Sequence, residues 1–131
     1  MTIEQRSNEL SKDIIAAAIE VHKALGPGLL ESAYQMAMAQ ELSLRKLPFL
    51  SELALPIEYK GRTLEAGYRI DFLVDNVVVV ELKSVDSLAP IHEAQLLTYL
   101  RLSGHWLGLL INFNVPILKR GIKRLVHGLP N

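Results

Sequence analysis

The chain of 131 residues is half apolar, contains no cysteine, and balances 14 acidic side chains against 14 basic ones. That length suits a single domain, expected over residues 1–131, with a core of its own, and the missing thiols exclude disulfides and thiolate metal sites. No apolar run approaches the roughly 20 residues that cross a bilayer, and the charged N-terminal residues do not read as a signal peptide. A cytoplasmic protein with no membrane partner is therefore expected.

Leu10, Ile14, Ala17, Ala18, Val21 and Leu25 recur at helical spacing and predict an amphipathic helix within the first 25 residues. Gly26-Pro27-Gly28 stops it, since glycine suits the left-handed position after a helix and proline cannot continue one. A second helix is expected over residues 29–45, through Leu30, Tyr34, Ala37, Met38 and Leu42, before Pro48 ends the pattern. From residue 49 the period changes to two. Leu53, Leu55, Ile57 and Tyr59 alternate toward a turn at Lys60-Gly61, and residues 68–74 and 77–84 read as two further strands around Asp75-Asn76. Pro90 opens a third helix, with Leu96, Leu97 and Leu100 as its buried side and Gly104 as its end. Residues 106–113 are nearly all apolar, as in a strand covered on both faces. A short final helix is expected over residues 117–126. The sequence of elements predicts an α/β chain (an α+β sandwich) with a mixed central sheet flanked by helices.

Across residues 70–82, Ile70, Phe72, Val74, Val78, Val80 and Leu82 are apolar and even-numbered, while Asp71, Glu81 and Lys83 are odd. A sheet with one apolar face must then gather the three charged residues on the other. This parity calls for a three-residue loop, Val74-Asp75-Asn76 with Asn76 left-handed, because a two-residue loop would set Asp71 opposite the valines. Two carboxylates walled by Leu73, Val77 and Val79 need more positive charge than one lysine brings. A hard cation, Mg²⁺ or Mn²⁺, would supply it through oxygen ligands, activate a water and stabilise charge on a phosphate, with Lys83 orienting that water. A structural ion-pair cluster explains the same three residues equally well.

All 14 acidic residues lie within residues 1–93, whereas residues 94–131 carry only basic ones. Lys119, Arg120, Lys123 and Arg124 read either as a phosphate-binding patch for nucleic acid or as a solvated helix face. Gln95 and Tyr99, four apart, share a helical face, and Glu31 and Tyr34 open the second helix, although packing or the helix dipole explains each alone. The four histidines share no metal-ligand spacing, and no glycine loop for a nucleotide phosphate is present, so no nucleotide cofactor is expected.

GLLESAY at 28–34, GYRID at 67–71, VELK at 80–83, QLLTY at 95–99 and GLLINF at 108–113 resemble, in order, the GxxExxY proteins, a branch of the PD-(D/E)XK nuclease superfamily. The resemblance spans about residues 10–126. It implies a restriction-endonuclease-like αβββαβ core in which Asp71 and Glu81 bind the metal and Glu31 adds a third carboxylate. It further implies that Lys83 assists the water and that Gln95 and Tyr99 position the site and substrate. Ile70 stands where the superfamily's name has proline. The implied activity is metal-dependent hydrolysis of DNA or RNA phosphodiesters. The alternative is a catalytically silent nucleic-acid-binding or self-assembling protein on the same fold. A homodimer or higher homo-oligomer is expected, since it would bring two sites and two basic segments to one duplex.

Overall fold

The computed structural model describes residues 1–128. Helix α1 spans Ile3–Leu25. Its start is a reciprocal cap: the Thr2 hydroxyl accepts the Gln5 N–H at 3.1 Å, and the Gln5 side chain accepts the Thr2 N–H at 2.9 Å. Gly26, at φ 71°, ends it. Helix α2 spans Glu31–Leu44, beginning two residues later than the sequence suggests because Leu29 and Leu30 belong to the preceding loop.

Strand β1 is Phe49–Ala54. The run of alternating residues expected to continue to Tyr59 breaks at Pro56, which has no N–H to give to a ladder. Ile57–Tyr59 (β2) instead pairs with Arg62–Leu64 (β3) across Lys60-Gly61, as a separate two-stranded hairpin. β4 (Arg69–Val74) and β5 (Val78–Lys83) follow, then helix α3 (Pro90–Ser103) and strands β6 (Leu107–Asn112) and β7 (Ile122–Val126). The main sheet has the order β1-β4-β5-β6-β7, antiparallel throughout except for the β5–β6 pair, which α3 connects in parallel. The expected mixed sheet flanked by helices is therefore present.

Two apolar layers sandwich the sheet. Leu10, Ile14, Ala17 and Val21 of α1 and Tyr34, Met38 and Leu42 of α2 pack with Phe72, Val74, Val78, Val80 and Leu82. On the other face, Leu96, Tyr99 and Leu100 of α3 pack with Leu73, Val79 and Leu110. Ile70 departs from the even-numbered set and packs in the α3-side cluster. It pairs with Leu53, just past Glu52, where the β1–β4 register lapses and Glu52 takes φ 53°.

Two further expectations are corrected. The β4–β5 loop is Asp75-Asn76-Val77 rather than Val74-Asp75-Asn76, because Val74 stays in the ladder opposite Val78. Asp75 joins Asn76 at positive φ, 51° and 57°, and the odd-with-odd parity survives the one-residue shift. Residues 117–126 are not a helix. Leu118–Gly121 is a single 3₁₀ turn and β7 follows it. The apolar spacing fits either period, and the open edge of β6, fully buried and in need of partners for its backbone, selects the strand. Ile122 then packs toward the α1 and α2 side and Leu125 toward α3.

The approach to β7 is tight. A Cβ at Gly121 would sit 2.3 Å from the Asn112 carbonyl oxygen, so backbone would have to move. Gly121→Ala should lower stability by about 1–3 kcal/mol, the usual range for overpacking, in urea unfolding. Lys119→Ala, at an exposed neighbour, should leave the midpoint unchanged.

Candidate active site

The β4–β5 register runs Val74↔Val78, Leu73↔Val79 and Phe72↔Val80, and Asp71 and Glu81 come next. At that point side chains take over from the ladder. Glu81 Oε1 accepts the Asp71 N–H at 3.0 Å, and Asp71 Oδ2 accepts the Leu82 N–H at 2.8 Å. Each strand is thus tied to the other by a carboxylate. Glu81 is 5% exposed and Asp71 half-buried.

Burial pushes the Glu81 carboxyl up to about 9, and the adjacent Asp71 charge adds to the rise. Asp71 is also raised, chiefly by burial and then by the charges of Glu31 and Glu52, against the opposing pull of the Leu82 N–H and Lys83. Lys83 is half-buried on the same strand. Its charge favours both carboxylates, but it makes no ion pair within 4.0 Å among the described residues. One ammonium at that remove leaves the pair under-compensated. Asp71 Oδ1 and Glu81 Oε2 accept no N–H among the described residues. Two adjacent, under-compensated carboxylates form an oxygen donor set that fits a hard divalent cation.

Glu31, on the first turn of α2, is exposed, and its charge reaches Asp71. Among the described residues, no three His, Asp or Glu side chains converge as a metal group. Tyr34 is structural here. Its hydroxyl donates to the Gly26 carbonyl at 2.6 Å and accepts the Leu29 N–H at 3.1 Å, and its ring stacks on Phe113 with centroids 4.5 Å apart. Ser84, just past Lys83, donates to the Leu29 carbonyl at 2.6 Å. The loop before α2 is thereby fastened to the active end of β5.

Tyr99 lies beside the carboxylates, buried, with its phenol pushed up to about 12 by burial and then by Glu81 and Asp71. Gln95, one turn before Tyr99 on α3, lines the same cleft as the tyrosine. Three contributors escaped the sequence reading. Glu52 approaches Asp71 from β1 and hydrogen-bonds Gln35, and no local pattern marks it. Tyr68 meets the Tyr99 ring at 6.3 Å. Asn112, a buried polar residue ending an apolar strand, accepts the Val85 N–H at 3.0 Å and donates to the Val85 carbonyl at 2.9 Å, which fixes the chain beyond Lys83. A lone amide at the end of the run 107–112 was the signal available.

The basic segment does not form one face. Lys119 and Arg120 are exposed on the 3₁₀ turn, but Lys123 and Arg124 are successive strand residues and point to opposite sides. Lys123 pairs with Glu93 at 3.3 Å, while Arg124 bonds Asn8 and lies over the Trp106 ring at 5.4 Å.

Helices on both faces of a mixed five-stranded sheet, with carboxylate, carboxylate and lysine on two adjacent strands, define a nuclease-type α+β protein of the restriction-endonuclease kind. The chain matches the family model described as the PD-(D/E)XK nuclease superfamily over residues 8–125, and it belongs to that superfamily. No curated protein and no solved structure matches it.

Because the Glu81 carboxyl is raised on folding, its protonated form is the one that stabilises the fold. That contribution is full below about 4.5 and is lost as pH rises toward about 9. In chelator, the Tm should fall across this window, and Glu81→Gln should flatten the fall. At pH 8 the variant should melt higher than wild type by several degrees, on the scale of roughly 2–8 °C per kcal/mol. A pH-independent wild-type Tm would contradict an under-compensated pair.

Proposed function

We propose that this chain is a metal-dependent phosphodiesterase acting on nucleic acid, and that it falls in the GxxExxY branch of its superfamily. The observation that carries the reading is the reciprocal pair Asp71–Glu81, buried on adjacent strands with Lys83 two residues on. A silent scaffold gains nothing from such a pair, whose desolvation opposes folding.

Asp71 and Glu81 would hold Mg²⁺ or Mn²⁺, with Glu31 as the third carboxylate from α2. When bound, the cation supplies activation of a water and stabilisation of charge on the scissile phosphate. Lys83 Nζ orients the attacking water and eases loss of its proton. Tyr99 keeps its phenolic proton through neutral pH, so beside the carboxylates it is a hydrogen-bond donor and not a base. Gln95, one turn earlier on α3, helps to position the substrate beside it. Lys119 and Arg120 follow β6 at the sheet end where Lys83 lies opposite Asn112, and there they reach substrate phosphates. Lys123 and Arg124, engaged elsewhere, add less. A cytoplasmic setting and a homodimer presenting two sites belong to the same proposal.

The test is incubation with Mg²⁺ or Mn²⁺ and labelled DNA and RNA, single- and double-stranded. Chelator should abolish cleavage. Lys83→Ala should slow cleavage by about 100-fold or more, in the range of proton-transfer assistance, while binding stays near the wild-type level. Calorimetry with Mn²⁺ should show heat for wild type and none for Asp71→Ala. Identical titrations would remove the metal site.

A further inference from the structure

On the α3 side of the carboxylates lies a cleft of about 310 Å³ walled by Tyr68, Gln95, Thr98, Tyr99, Ile91 and, from the β2–β3 hairpin, Ile57. Tyr99 belongs both to this cleft and to the electrostatic surroundings of Asp71 and Glu81, so cleft and carboxylates share a wall. Its aromatic side is open. The Tyr68 and Tyr99 rings meet edge to face at 63°, and Tyr68 is 44% and Ile91 69% exposed. Apolar walls held open to water beside a charged site call for an occupant that is flat, apolar on its faces and polar at its edges. The Gln95 amide has donors and an acceptor for such edges, and the Thr98 hydroxyl, which donates to the Ala94 carbonyl, can accept.

Size and charge narrow the occupant. The cleft is at the small end of ligand sites, which run roughly 300–1,000 Å³: it admits one heterocycle with its sugar and excludes a stacked, paired duplex. The chain as a whole carries no net charge, and Arg6, Arg45 and Lys123 are in ion pairs. No lysine or arginine lines the cleft, so a strand seated there gains little from phosphate contacts at its walls. Stacking on the exposed ring of Tyr68 is the other source, and it requires a base that is not paired.

We infer that this cleft receives one unpaired base of a nucleic acid strand whose neighbouring phosphate lies at Asp71 and Glu81, so that single-stranded or locally unpaired nucleic acid is the substrate class. The inference rests on the nuclease reading of the site.

The test is fluorescence anisotropy in chelator with intact protein and labelled oligonucleotides of matched length, as single-stranded DNA, single-stranded RNA and duplex DNA. Cleavage of the same set in Mn²⁺ is followed in parallel. Single strands, of either or both sugars, should bind more tightly than duplex. Tyr68→Leu should weaken single-strand binding by about 5- to 100-fold, the span of one base–aromatic stack, and leave duplex binding unchanged. Tyr68→Phe should retain the preference. Ile91→Glu, at a position too exposed to threaten folding, should weaken single-strand binding in the same direction. Duplex bound as tightly as single strand, or a Tyr68→Leu variant whose preference is unaltered, overturns the inference. If duplex is then cut equally well by wild type and Tyr68→Leu, the nuclease reading stands and only the inference falls. Should no nucleic acid be bound or cut, both fall.

Discussion

Two carboxylates hold β4 and β5 together where their backbone pairing ends, and much of the molecule is arranged around that substitution. Glu81 takes the Asp71 N–H and Asp71 takes the Leu82 N–H, so neither acid can be removed without leaving a backbone donor of the other strand unmet. The arrangement opposes folding as pH rises, because burial beside Asp71 resists ionisation of Glu81 and only a single lysine is nearby. What offsets it is the apolar sandwich that holds both strands in register. Phe72, Val74, Val78, Val80 and Leu82 are fixed from one face, and Leu73 and Val79 from the other. The same register that buries these side chains brings the acids opposite each other.

The elements that frame the pair are held by residues whose roles are structural. Tyr34 closes the loop between α1 and α2 through its hydroxyl and stacks on Phe113 at the end of β6, so a residue of the GLLESAY motif fastens the first helical layer to the sheet. On the other face, Gly108 lets α3 come close. A Cβ there would meet Leu96 at 2.9 Å, and an α3 displaced by that contact would carry Gln95 and Tyr99 away from the carboxylates. Asn112 does comparable work beyond Lys83 by engaging both backbone groups of Val85. A functional motif in a small domain is thus partly chemistry and partly the fastening that keeps chemistry in place.

Charge is distributed in a way that composition conceals. The basic C-terminal stretch looks like a patch when read along the chain, yet a strand sends alternate residues to opposite sides, and Lys123 and Arg124 find partners on different layers. Aromatic surface accumulates next to the acids instead, where Tyr68 and Tyr99 face a cleft at the edge of the site.

The alternation of residues 72–82 determined, from sequence alone, that Phe72, Val74, Val78, Val80 and Leu82 share one face and Leu73 and Val79 the other, whereas Ile70 and Val77, at the ends of the pattern, depart from it. The helices α1, α2 and α3 were legible for a related reason: apolar side chains at helical spacing, bounded by Gly26 and Gly104, are local signals. What residues 57–64 and 117–126 would do was not a local matter. Both segments carry apolar residues compatible with more than one period, and backbone groups made the choice: Pro56 had no N–H to continue the β1 ladder, and the buried edge of β6 required a partner. The motif likewise marks Glu31, but that its charge reaches Asp71 depends on how α2 docks on the sheet. Side-chain periodicity is written along the chain, whereas backbone satisfaction and the docking of one layer on another exist only once distant segments have met.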